Sequence, residues 1–206
     1  LLLILKELLL KTLIGSLVVA EHEYLSFTIF TSDMGTFHST GTSRTIIRQL
    51  TTADEADFVA LLGDQRVTST LAFDEETMTE RGIKHLLGLI TSFYDSDNPI
   101  LIFGVEEKQS GKLVGSTGYN SLDEEEAELF YAISPDFWGQ GFATEIVAEM
   151  TRYAFENLPF ITLKAFVTPD NEGAKRVAEK NGFENVGLTN NPNFFEPVYL
   201  YQKSRN

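Results

Sequence analysis

The sequence predicts an α/β fold on a mixed sheet, and three features carry that expectation. Residues 127–133 alternate, with Ala127, Leu129, Tyr131 and Ile133 on one side and Glu128, Phe130 and Ala132 on the other, which is the period of a strand. The chain then crosses a glycine-rich turn, Trp138-Gly139-Gln140-Gly141-Phe142-Ala143-Thr144, into a run where Ile146, Val147, Met150, Tyr153 and Ala154 share one helical face. Strand-like and helix-like segments surround this unit in the order βααβββαβαββ, the mark of an α/β sheet rather than a bundle or a sandwich.

In chain order, Thr45 to Leu50 reads as a first strand. Thr52 with Glu55 three residues on is a capping-box pattern, and Phe58, Leu61 and Leu62 give the following helix its apolar face. Residues 76–94 read as a second helix, with Ile83, Leu86, Leu87 and Ile90 on one side. Pro99 to Glu106 and Lys112 to Tyr119 form a hairpin across Lys108-Gln109-Ser110-Gly111. The acidic run Asp123-Glu124-Glu125-Glu126, a solvated turn, leads into the central strand. After the central helix come a strand at 160–167, a helix from Asn171 to Asn181 stopped by Asn181-Gly182, and strands from Phe183 to Leu188 and from Tyr199 to Lys203.

The N-terminal 20 residues, LLLILKELLLKTLIGSLVVA, fit no part of this scheme. Lys6, Glu7 and Lys11 interrupt what would otherwise approach a membrane span of about 20 apolar residues. Met34 followed by Gly-Thr-Phe-His-Ser-Thr-Gly-Thr-Ser reads as a natural start with a ragged lead-in, so residues 1–33 are expected to be an upstream or added segment. An amphipathic anchor or a partner-packing helix is the alternative. The expected division is an extension at 1–44 outside the core and one domain at 45–206.

Composition narrows the function. The 206 residues carry a net charge of −14, which argues against a nucleic-acid partner and permits a basic acceptor such as an amine. With no cysteine there is neither a disulfide nor a thiolate, whether as nucleophile or as metal ligand. His22, His38 and His85 lie far apart in sequence, and no metal site is expected.

The glycine turn is where chemistry concentrates. The first amides of a helix have no intrahelical acceptor, the helix dipole adds partial positive charge, and glycine lets an anion approach the backbone. Two readings stand on spacing alone: a diphosphate cradle of main-chain N–H groups, or a plain strand-to-helix turn. A P-loop is excluded, because no Gly-Lys-Ser/Thr triplet is present, and Thr144 stands where a dinucleotide fingerprint wants a third small residue.

Phe137-Trp138-Gly139-Gln140-Gly141-Phe142-Ala143-Thr144-Glu145 resembles the acetyl-CoA pyrophosphate loop of the GNAT acetyltransferases, most of all in the branch with the ribosomal-protein N-terminal alanine acetyltransferases. Asn171-Glu172-Gly173-Ala174, running on to Glu179-Lys180-Asn181-Gly182-Phe183, is similar to a second segment of that family. The element order over 45–203 matches as well. The resemblance implies a GNAT fold: a mixed central sheet of about six to seven strands with a splayed parallel pair (127–133 and 160–167), flanked by about four helices. It implies acetyl-CoA as cosubstrate and no metal. Acetyl-CoA would lie in the splay, touching Phe130, Ala132 and Ile133, the loop Trp138, Gly139, Gln140, Gly141, Phe142, Ala143 and Thr144, and Asn171. Asn171 also reads as a helix N-cap, and the two roles are compatible.

The implied reaction is direct attack of a primary amine on the thioester. The amine needs a base, and the developing oxyanion needs a donor. Glu128 is the candidate base, with an exposed strand glutamate as the alternative reading and Glu126 as fallback. The tyrosine that many relatives use as general acid is replaced by Ala178, which leaves Tyr131, Tyr119 or solvent to protonate the thiolate. By resemblance the acceptor is a protein or peptide N-terminal amine. A small amine (polyamine, amino acid or antibiotic) and a non-catalytic acyl-CoA-binding module are the alternatives. Acceptor choice is expected to lie in 64–98 and 189–198, and the location to be cytoplasmic, with no membrane partner.

Overall fold

The structure, a computed structural model, describes residues 37, 39–69, 71, 77–96 and 99–205. The expected start at Met34 and the segment before it lie outside the described residues. The strands are β1 (Ser39–Gly41), β2 (Thr45–Arg48), β3 (Ile102–Glu107), β4 (Leu113–Ser121), β5 (Glu126–Ile133), β6 (Thr162–Val167), β7 (Glu184–Thr189) and β8 (Val198–Ser204). The helices are α1 (Glu55–Leu62), α2 (Gln65–Thr68), α3 (Glu80–Phe93), α4 (Phe142–Asn157) and α5 (Glu172–Lys180).

All described strands join one sheet in the order β1-β2-β3-β4-β5-β6-β8-β7. Every neighbouring pair is antiparallel except β5 with β6. Helices cover both faces. The β5 alternation sends Ala127, Leu129 and Ile133 into a core shared with Ile146, Val147 and Met150 of α4 and Ala178 of α5. It sends Ala132, with Phe130 packed against it, into a second core built on Phe58, Leu62, Ile83, Leu86 and Ile90 of α1 and α3. One strand thus seats two layers, because successive side chains leave opposite faces.

The mixed α/β class with a parallel pair is as expected, and the element counts and one cap differ. Among the described residues the sheet has eight strands, not six or seven, and the helices number five, not four. The extra strand is β1, three residues too short to show a period, and the extra helix is α2, a single turn capped by the Asp64 side chain accepting the Arg66 N–H. Phe37 is buried and stacks on Phe103 with centroids 3.8 Å apart, and Ser39 to Gly41 pair with Ile46 to Arg48. The capping box sits one residue earlier than the Thr52/Glu55 pattern. Thr51 N–H donates to Asp54 at 2.8 Å, while Glu55 turns outward to Lys84 at 3.4 Å. Asp54 wins because Arg48 grips its carboxylate with two bonds of 2.8 and 2.9 Å, and Glu55 has no such anchor.

Strand ends move by a few residues. β2 stops at Arg48 because the Leu50 N–H leaves the sheet to donate to the Tyr94 hydroxyl at 3.0 Å, and that hydroxyl donates in turn to the Ile102 carbonyl. The same contact ties α3 to the start of β3.

Candidate active site

β5 and β6 pair only from Glu126 with Thr162 to Glu128 with Lys164. Beyond this the strands diverge, although β5 keeps its register with β4 up to Ile133 and β6 keeps its register with β8 up to Val167. The split is therefore confined to one seam. The Ser134 N–H donates to Val114 C=O and the Leu122 N–H to Glu126 C=O, so even-numbered residues of β5 turn their main chain towards β4. Alternation turns the main chain of Leu129, Tyr131 and Ile133 into the seam. Phe130 and Ala132 flank these groups but aim their own amides at β4. The Ile133 carbonyl is taken by Trp138 Nε1 at 2.7 Å, which leaves the Tyr131 amide facing the opening without a strand partner.

A cavity of about 770 Å³ opens at this seam. It runs from the glycine turn and α5 through the split to the apolar side of α1 and α3. Among the residues singled out from sequence, Glu128, Phe130, Tyr131, Ala132, Ile133, Trp138, Gly139, Gly141, Phe142, Ala143, Thr144 and Asn171 line it. Gln140 does not: its side chain folds back to donate to the Asp136 carbonyl at 2.8 Å. Ala178, at the position of the missing tyrosine, lines the cavity with nothing but a methyl group.

The turn is held open by two left-handed glycines, Gly139 at φ 71° and Gly141 at φ 84°. Any other residue would be strained there by about 1–3 kcal/mol. Gly141 is the N-cap of α4 and supplies no side-chain acceptor. The first intrahelical bond runs from the Glu145 N–H to the Gly141 carbonyl at 3.2 Å. The amides of Phe142, Ala143 and Thr144 therefore have no helical partner, and all three residues line the cavity.

Arg44, which no local pattern singles out, braces this turn. It donates to the Gln140 carbonyl and to the Glu145 carboxylate, both at 3.0 Å, and its guanidinium lies 3.9 Å from the Phe142 ring centroid. Phe142 is buried and meets Phe137 edge-on with centroids 5.3 Å apart. Burying such a ring is worth roughly 1.5–3 kcal/mol, enough to fix the first residue of the helix. The bond from Arg44 holds the Glu145 carboxyl below its ordinary range. An arginine nearly 100 residues upstream of its partners leaves no spacing signal.

The two carboxylates at the head of the seam are treated differently. Glu126 is ion-paired to Lys164 and does not line the cavity. Glu128 lines the cavity and accepts from Asn120 Nδ2 at 2.8 Å. Asn120 is directly opposite Glu128 in the β4–β5 register, so the pair is invisible until the hairpin register is known. Tyr131 leaves the other face of β5 and packs against the α4 core, where burial pushes its phenol up and keeps it protonated. Tyr119 is committed elsewhere: it is buried in the core with its hydroxyl donating to the Met150 carbonyl. Asn171 caps α5, its Oδ1 accepting the Ala174 N–H at 3.0 Å, as its N-cap reading requires. Among the described residues no helix is long and apolar enough to cross a membrane, and no cluster of metal-ligating side chains occurs.

Comparison with known proteins agrees with this geometry. Residues 44–184 match the family described as the acetyltransferase (GNAT) domain. The chain is 28% identical over 163 residues to the uncharacterized N-acetyltransferase YoaA of Bacillus subtilis, covering 78% of this chain and 87% of that one. Its fold is that of the ribosomal-protein-S5-alanine acetyltransferase of Vibrio fischeri, with a TM-score of 0.65 at 18% identity over 81% of this chain and 96% of that one. It is also that of the spermidine N-acetyltransferase of Vibrio cholerae solved with CoA and spermine, with a TM-score of 0.67 at 21% identity over 79% and 96%.

Proposed function

This chain belongs to the GNAT acetyltransferases and is an acetyl-CoA-dependent N-acetyltransferase, and on that premise we propose that it acetylates the N-terminal amine of a protein or peptide through Glu128. The observation that carries the proposal is the seam: one continuous cavity with open helix amides at one end and a single hydrogen-bonded carboxylate, Glu128, at the other. Likeness of fold to a ribosomal-protein alanine acetyltransferase supports the acceptor class.

In this reading the amides of Phe142, Ala143 and Thr144 hold the diphosphate, and Arg44 keeps their turn in shape. The main chain of Leu129 and Tyr131 takes the amide-rich arm of acetyl-CoA as a third strand would. Phe130, Ala132, Ile133, Trp138, Gly139, Gly141 and Asn171 complete the cosubstrate site. The acceptor enters from the α1–α3 side as an ammonium ion. Glu128 takes one proton from it and passes it to solvent, the freed lone pair attacks the thioester carbonyl, the C–S bond breaks, CoA leaves as a thiolate, and the acylated nitrogen gives its second proton to Glu128. The main-chain N–H groups of the seam are placed to hold the carbonyl oxygen as it gains charge. Tyr131, kept protonated by burial, returns a proton to the thiolate.

Thiol release from acetyl-CoA tests the proposal, and a chain without cysteine gives a thiol dye no protein background. Release with peptides and not with spermidine, free amino acids or aminoglycosides is expected. Release with a small amine alone would keep the activity and move the acceptor to metabolites or antibiotics. Silence across the panel, with acetyl-CoA binding intact by calorimetry, would overturn the proposed acceptor class and its small-amine alternative together.

A further inference from the structure

Asn120 makes a bond whose direction is fixed by chemistry. An ionised carboxylate cannot donate, so the group facing Glu128 must be the amide nitrogen, Nδ2, at 2.8 Å. The carbonyl oxygen Oδ1 is then the free end. Asn120 is 7% exposed and lines the cavity, yet its Oδ1 has no hydrogen-bond partner. A buried acceptor left unpaired costs about 1–3 kcal/mol, and a well-packed sheet retains one where a ligand completes it.

The walls around this pair define what can come near. On the same side of the sheet the cavity is lined by Phe58, Leu62, Val67, Leu86, Ile90 and Phe130. Among the described residues lining this half, Glu128 is the carboxylate, and Arg66, bound to Asp64 at 2.6 Å, brings a positive charge. Asp170 and Glu172 lie at the other end, beside α5. A polyamine would need a second carboxylate for its second ammonium group, since an unpaired buried charge costs several kcal/mol.

We propose that Asn120 and Glu128 together seat the acceptor amine, Asn120 Oδ1 accepting one N–H while Glu128 takes the proton, and that the surrounding wall selects amines borne on an uncharged apolar group. This rests on the N-acetyltransferase reading above and narrows its acceptor to peptides whose first side chain is apolar. Asn120 differs in role from a residue that merely orients Glu128, because it touches the substrate.

The test has two parts. Wild-type protein is assayed with tetrapeptides beginning with leucine, methionine, glycine or lysine, and with spermidine. The apolar N-termini are expected to exceed glycine and lysine in kcat/KM by at least about tenfold, since a buried methylene or two is worth that much discrimination. The variant Asn120→Leu, of similar size and without an acceptor, is expected to raise KM for the best peptide by about tenfold while the acetyl-CoA affinity measured by calorimetry stays within about twofold. Preference for spermidine or for lysine would overturn the inference and leave the enzyme reading standing. A fall in kcat with KM unchanged would overturn the role of Oδ1 and make Asn120 only a support for Glu128. Should Asn120→Leu fail to fold, Asn120→Ala, which removes the acceptor without adding bulk, is expected to show the same rise in KM, and an unchanged KM there overturns the role equally. No turnover of any acceptor, with acetyl-CoA bound, would overturn the enzyme reading itself, an outcome distinct from the other two.

Discussion

The two ends of the cavity are built from different materials. The α4–α5 end presents main chain: three helix amides behind Gly139 and Gly141, and the unpaired edge of β5. The α1–α3 end presents side chains: Glu128, Asn120 and an apolar wall. A main-chain site needs only a backbone path, which a few glycines specify within ten residues. A side-chain site needs groups from separate segments at one point, which only sheet register and helix packing supply. The contrast repeats on a smaller scale at the two helix starts. α5 closes its own first turn with Asn171, whereas α4 has no side-chain cap at its first turn.

The sharpest way to break the comparison is to fill the main-chain end. Gly141→Val places a branched side chain at φ 84°, where a Cβ also meets Arg44 Nη2 at 3.5 Å. Acetyl-CoA affinity by calorimetry is expected to fall ~100-fold or more, equivalent to about 3 kcal/mol, with a further loss of about 1–3 kcal/mol in stability. Unchanged affinity would remove the diphosphate from this turn. Glu128→Gln attacks the side-chain end. It is expected to lower kcat by about 10²–10⁴-fold with the acetyl-CoA affinity intact, a split that separates the two ends cleanly. Equal losses in both would mean that the ends are not independent.

Arg44→Ala probes how far the main-chain end depends on distant support. A loss of about tenfold in acetyl-CoA affinity is expected, as the turn loses its brace. The variant should also differ from wild type in its pH dependence. Glu145 has a lowered folded pKa, so its bond with Arg44 stabilises the protein above the unfolded carboxylate pKa, and this is lost as pH falls through the folded value. The gap in Tm between wild type and Arg44→Ala should therefore narrow on acidification from neutral pH through the carboxylate range. A gap that widens would contradict the assignment. The smallest effect belongs to the capped helix. Asn171→Ala should cost about 1 kcal/mol and Asn171→Gly only a few tenths in chemical denaturation, as at other N-caps.

What could be read in advance follows the same division. The alternation of 127–133, the glycine turn and the face of α4 are local patterns, and they placed the strand, the turn and the helix to within a residue or two. The one-turn α2 and the three-residue β1 were illegible because they are shorter than any period. Thr52 and Glu55 had the right spacing for a cap and lost to Thr51 and Asp54, because Arg48, at the end of β2, holds the Asp54 carboxylate. Glu126, the fallback to Glu128, shares its strand face two residues away; Lys164 and Asn120 distinguish them.

By itself, then, the sequence determined the class of fold, the order of its elements and a glycine-rich helix start without a side-chain cap, all of which rest on residues within a turn or two of each other along the chain. Only the tertiary structure decided that the β5–β6 seam opens after Glu128, that Arg44 reaches the turn, and that Asn120 stands beside Glu128 with its carbonyl unpaired. Those facts depend on which strands become neighbours and in what register, and a pairing across the sheet leaves no period in the chain for a local pattern to reveal.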